Sequence, residues 1–209
     1  ARFNQHREQL DNEFVQGNAE RALALLTDVE EEYGASIWLL KKKVAFYQEF
    51  RGLEQQKKFA QSIKDLGESV SGIVTFLVHW VSYRSEPSVS PLTFGEVFEA
   101  YLGDLNVDSD INAYLRHHIS TVPPYTMDDC SGMLGIEAVG TAIDTYEMFV
   151  ATLQTTITKE WPLSRSLMQS LLENKSLQSH YMCLLVLCKH LMVQIMKVWT
   201  REDFWRDIR

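Results

Sequence analysis

The side chains best equipped for chemistry are histidines, cysteines and paired carboxylates, and their spacing decides whether any of them can act together. His117 and His118 are adjacent. Neighbours on a helix diverge by about 100°, so this pair does not converge on one ion or one proton. One of the two is expected exposed and the other half-buried. His180, Cys183, Cys188 and His190 are metal-ligand types. His180 and Cys183, three apart, make half a zinc site on a helix. Cys188 points elsewhere and His190 lies roughly 10 Å beyond Cys183 by helical rise, so a full site needs ligands from another helix. Asp104, Asn106, Asp108 and Asp110 alternate as calcium-loop oxygens do. Ser109 stands where that loop needs glycine, and Leu115 stands where it needs glutamate, so the segment reads as a capped turn between helices. Asp128-Asp129-Cys130 sets a thiol beside two acids. Thr126 followed three residues later by Asp129 accounts for that run as a helix-starting cap. No glycine-rich phosphate loop, Gly-x-Ser-x-Gly elbow or His-Glu-x-x-His motif occurs. No catalytic, cofactor-binding or metal-binding residue is assigned, and no cofactor is expected.

Charge narrows the classes of partner. The 209 residues carry a net charge of −8. Residues 67–160 hold three Lys/Arg against thirteen Asp/Glu, whereas residues 1–66 hold ten against eleven and residues 161–209 seven against four. An acidic middle repels phosphate backbones, so nucleic acid is disfavoured as a partner. The basic runs Lys41-Lys42-Lys43 and Lys57-Lys58 leave open a contact with RNA or an acidic peptide, beside the simpler reading of solvated faces paired with Glu30–Glu32 and Glu49. Three widely spaced cysteines make no disulfide framework, and a reducing, cytoplasmic setting follows. The N-terminal residues are polar and helical in pattern rather than signal-like. The apolar stretches Val70–Tyr83 and Tyr181–Trp199 are, respectively, too short and too interrupted by charge to span a bilayer, so no membrane association is expected. The missing initial Met and the end just after a helical pattern are read as marks of an excised domain or processed product.

The elements that would position these groups are helices. Gly17, Gly34, Gly52 and Gly67 divide the first third of the chain into blocks of helical length. Phe3, Leu10 and Phe14 share one stripe. Ala22, Leu26, Val29 and Tyr33 share the next, opened by Asn18 as N-cap. Ile37, Leu40, Val44 and Tyr47 form the third, with Trp38, Phe46 and Phe50 beside them. Phe59, Ile63 and Leu66 point inward from a fourth helix over about 53–66. Val70–Arg84 is apolar enough to be central; its length favours helix, although its β-branched residues also allow a strand. Ser90-Pro91 opens a helix that buries Phe94, Val97, Phe98, Tyr101 and Leu102. Asp108 caps the next helix, which carries Ile111, Tyr114, Leu115 and His118 inward. Pro123-Pro124 breaks the chain, as a loop within a helical domain or as a domain boundary. One long helix is expected over about 134–158, loosened by Gly135 and Gly140. A short helix follows from Trp161-Pro162 to about Glu173, then a core helix over Ser176–Trp199 and a tail over Arg201–Arg209 anchored by Phe204 and Trp205.

Gly17 and Gly52 stand 35 residues apart, and Gly34 and Gly67 stand 33 apart, the length of two helices and two turns. Over residues 1–66 the chain resembles the tetratricopeptide repeat family. Gly17-Asn18-Ala19-Glu20-Arg21-Ala22-Leu23 is similar to the glycine turn and second helix of such a repeat, with Ala22 at the close packing point. Trp38 is similar to the aromatic that opens the next first helix, and Gly52 to the next turn. Lys41, Lys42, Gln56 and Lys57 depart from the family pattern, and no proline closes either repeat. The resemblance implies stacked helical hairpins.

The expected architecture is all-α. Stacked antiparallel hairpins over residues 1–66 continue into an irregular helical bundle over 67–209, as one continuous unit. Scaffolds of this kind bind peptides or helices of other proteins. The leading expectation is therefore a protein-interaction or regulatory module, part of a larger chain or assembly, with enzyme activity left undecided. A homo-oligomer anchored by Phe204-Trp205 is compatible with the pattern. Two alternatives stand beside it. One is a helical enzyme whose site gathers Asp128, Asp129, His117, His118 and His180. The other is a nucleic-acid contact through Lys41–Lys43.

Overall fold

The computed structural model describes residues 2–120, 126–137 and 140–159. Among the described residues the chain forms α-helices, one 3-10 turn at Gly67–Ser69, and no strand. The helices are α1 (Arg2–Gln16), α2 (Ala19–Tyr33), α3 (Ile37–Arg51), α4 (Leu53–Asp65), α5 (Gly72–Arg84), α6 (Pro91–Asp104), α7 (Ser109–Ser120), α8 (Met127–Glu137) and α9 (Ala142–Thr158). The expected all-α class holds, and Val70–Arg84 is helix rather than strand. The chain divides into two compact units, Ala1–Pro123 and Pro124–Arg209.

In the first unit the turns follow from glycine. Gly34 and Gly52 adopt φ of 80° and 81°, a region in which side chains with a Cβ are strained. Each ends one helix and lets the next fold back. Ser36 opens α3, its hydroxyl accepting from the Leu39 amide at 3.0 Å. Asn18 occupies the expected cap position but does not cap. Its amide donates instead to Glu13 at 2.7 Å and to Gln16 at 3.0 Å. Helix α3 packs on α2, α4 and α5, and α1 packs on α2. Phe3 of α1 also meets Trp38 of α3 edge-on at 4.9 Å, and Phe14 meets Phe50 in the same way at 5.2 Å. Leu40, Val44, Val78 and Val81 form the core between α3 and α5, with Phe59, Ala60 and Ile63 of α4 packed against it.

Helix α6 covers another side of α5. Ser90 caps it as expected, accepting from the Thr93 amide at 3.0 Å. Phe94, Phe98 and Leu102 are its buried stripe, four residues apart. Val97 and Tyr101, expected inside, are exposed. α6 buries only a narrow stripe, and residues one step off that stripe face water. Tyr101 nevertheless lays its ring near Trp80 and Phe76. Leu66 is likewise exposed, because α4 ends at Asp65 and Leu66 leads into the 3-10 turn.

In the second unit the long helix expected over about 134–158 is two helices. The Thr141 hydroxyl accepts from the Asp144 amide at 3.2 Å and donates to the Asp144 carboxylate at 3.0 Å, starting α9 afresh. Residues 161–209, with the helices and the tail expected there, lie outside the described residues.

Candidate binding groove

Helices α4 and α5 run antiparallel, and beside the apolar core one buried polar pair joins them. Gln56 is completely buried. Its amide donates to the Ser82 carbonyl at 3.0 Å, and the Ser82 hydroxyl donates back to Gln56 Oε1 at 3.1 Å. Each polar atom used in these bonds is satisfied, so the pair is tolerated inside. Beyond it the helices enclose a groove of about 290 Å³. Lys57, Ala60, Gln61 and Lys64 line it from α4, at the i, i+3, i+4, i+7 spacing of one helical face. Thr75, His79, Ser82 and Tyr83 line it from α5, with Glu86 just past the end of that helix. The small side chain of Ala60 leaves room between the two walls.

The ends of the groove differ in charge. At one end Lys57 pairs with Glu86 at 3.1 Å. Toward the other, Gln61 donates to Asp65 at 2.6 Å, and Lys64 is exposed with no ion-pair partner among the described residues. His79 is exposed, with its ring edge-on to Trp80 at 5.8 Å. The groove is open and its walls carry hydroxyl, amide and charged groups. Pockets that take small molecules enclose most of the ligand's surface. A cavity between α3 and α5 is apolar and about 10 Å³, room for no more than a single water.

The residues singled out from the sequence fall elsewhere. His118 is buried and His117 partly so, each one step deeper than expected. Lys41 Nζ lies 3.0 Å from His118 Nδ1. An ammonium group only donates, so Nδ1 accepts and the imidazole proton sits on Nε2. Burial, and then the Lys41 charge, hold the His118 pKa well below the ordinary histidine value. Arg84 donates to the Ile119 carbonyl near the end of α7, where cations are favoured. Lys42 and Lys43 are also engaged, with Asp11 and Glu30, each at 2.6 Å. All three members of the basic run thus have partners inside the fold.

Asp129 forms the expected cap with Thr126. The Asp129 amide donates to the Thr126 hydroxyl at 3.1 Å, and the Thr126 amide donates to the carboxylate at 2.8 Å. Asp128 is exposed. Cys130 is a buried, free thiol whose pKa is raised by burial and then by Asp129, the opposite of an activated nucleophile. Asp108 caps α7, its carboxylate accepting from the Asp110 amide at 2.9 Å, as the turn reading of Asp104–Asp110 requires. Among the described residues no group of three or more His, Cys, Asp or Glu is placed to hold a metal ion, and no helix is long and apolar enough to cross a membrane. His180, Cys183, Cys188, His190, Phe204 and Trp205 lie outside the described residues.

Sequence reasoning missed the groove. Most of its residues are ordinary polar side chains, and only the departures of Gln56 and Lys57 from the repeat pattern marked the place. Comparison with protein-family models, with curated proteins and with solved structures returned no match.

Proposed function

We propose that this chain is a protein-interaction module, part of a larger assembly, whose α4–α5 groove receives a segment of a partner protein. The observation that carries this reading is the groove itself: open, of about 290 Å³, and lined from two helices by donors and acceptors at regular helical spacing. Helix-lined grooves of this kind recognise extended or helical peptides through side chains seated between the helices. The packing of α3 on α2, α4 and α5 supports the resemblance to stacked tetratricopeptide hairpins, and the step from such a scaffold to binding is one of analogy. A buried, unpaired Cys130 fits a reducing compartment such as the cytoplasm.

The test is reconstitution. The full chain is used as bait at physiological salt, and the dominant retained protein is then purified and its affinity measured directly. Gln61→Trp with Thr75→Trp crowds the groove from both walls without changing its charge. Thermal melting of the double variant checks that it still folds. Loss of the purified complex in the folded variant is the expected result. A complex that survives crowding rules the groove out as the binding site.

A further inference from the structure

We infer that the segment received by this groove is acidic, with an aspartate or glutamate that pairs with Lys64. The inference rests on the binding reading above and adds the chemistry of the partner. Lys57 and Glu86 neutralise each other at one end of the groove. That leaves Lys64 as the uncompensated charge on its walls. A cation on the rim of a groove draws an opposite charge and fixes its register more than it adds raw affinity. Gln61, Thr75 and Tyr83 supply polar side chains along the same walls. They can hydrogen-bond a carboxylate or the backbone beside it.

The rest of the surface sharpens the choice. The chain carries a net charge of −8, and residues 67–160 hold thirteen acidic against three basic side chains. The other lysines of the N-terminal region are occupied: Lys42 by Asp11, Lys43 by Glu30 and Lys58 by Glu54. An acidic segment is therefore repelled by most of the surface and admitted at the Lys64 end of the groove. That combination of one attractive site and general repulsion is a basis for specificity. A basic segment would instead be drawn to many places and held at none in particular.

The probe is a phage-displayed library of short random peptides, panned against the full chain. Enriched peptides are then synthesised with a fluorophore and titrated by polarisation. Acidic peptides are expected to dominate. Their affinity is expected to fall about tenfold or more with Lys64→Glu and to stay within about twofold with Lys58→Glu, a change of equal charge outside the groove. A peptide with its glutamate changed to lysine is expected to recover binding to the Lys64→Glu variant. Two results overturn the inference in different ways. If enriched peptides are neutral or basic yet are lost with Gln61→Trp/Thr75→Trp, the groove binds but the acidic assignment fails. If no enriched peptide depends on the groove, the binding reading fails with it.

Discussion

Toward α6, helix α5 presents aromatic rings; toward α4, it presents a serine and an open, polar wall. Trp80 lies 5.0 Å from Phe98, 5.2 Å from Tyr101 and 6.0 Å from Phe94, measured between ring centroids. On the α4 side Gln56 and Ser82 bond reciprocally beside the apolar core, and beyond them the helices part to form the groove. Aromatic packing stabilises through large buried area and specific ring geometry. A buried amide–hydroxyl pair adds little net stability, yet it is costly to break on one side only. The same helix thus joins an aromatic flank to a flank where one buried polar pair sits at the base of an open groove.

The largest effect is expected on the aromatic flank. Trp80→Ala removes a side chain that is 5% exposed and is expected to cost about 3–5 kcal/mol, measured by chemical denaturation. A loss below about 1 kcal/mol would mean that α6 is not held by this cluster. On the polar flank Ser82→Ala leaves the Gln56 carbonyl oxygen buried without its donor and is expected to cost about 1–3 kcal/mol. Gln56→Leu combined with Ser82→Ala removes both side-chain partners together and is expected to recover much of that loss. A double variant as unstable as the sum of the single ones would show that the pair does not act as a unit.

Helix α7, which also packs on α5, carries a pH-sensitive group. His118 is held neutral, with a folded-state pKa lowered by burial and by Lys41. The unfolded chain binds this proton near pH 6.5, and the folded chain does so only at lower pH. Between those two values the unfolded state carries more protons, so stability is full above about pH 6.5 and is lost as pH falls below it. The slope from this one group is at most about 1.4 kcal/mol per pH unit. Urea titrations across this window, repeated with His118→Gln, check the assignment; an unchanged slope in the variant would remove His118 as its source. The smallest effect belongs to the exposed pair at the end of the groove. Lys57→Ala breaks the contact with Glu86 and is expected to cost under about 1 kcal/mol. A melting temperature that drops as far as in Ser82→Ala would show the groove wall to be as structural as its base.

Much of the first unit was legible because its signals are local. Gly34 and Gly52 end helices through their own backbone freedom. Ser90 and Asp108 cap the helices that follow them, and the stripe Ala22, Leu26, Val29 needs only the helical period to be seen. The break before α9 was equally local, in Thr141 and Asp144, but the apolar run that continues past it masked the cap. The exposure of Val97, Tyr101 and Leu66 was not legible, because periodicity reports which residues share a face and not how wide a face the neighbouring helix covers.

What the sequence by itself determined is the helical class, most of the turns in residues 2–66, and the weakness of every local catalytic or metal motif. Helix period, glycine conformation and ligand spacing are properties of short stretches of chain. Tertiary structure alone decided that Gln56 would find Ser82, that Lys41 would find His118, and that α4 and α5 would part into a groove with Lys64 on its wall. Those pairings join residues 26 and 77 positions apart in the first two cases. Each depends on which helix faces lie together, a choice made by the burial of the whole core and not by any one segment.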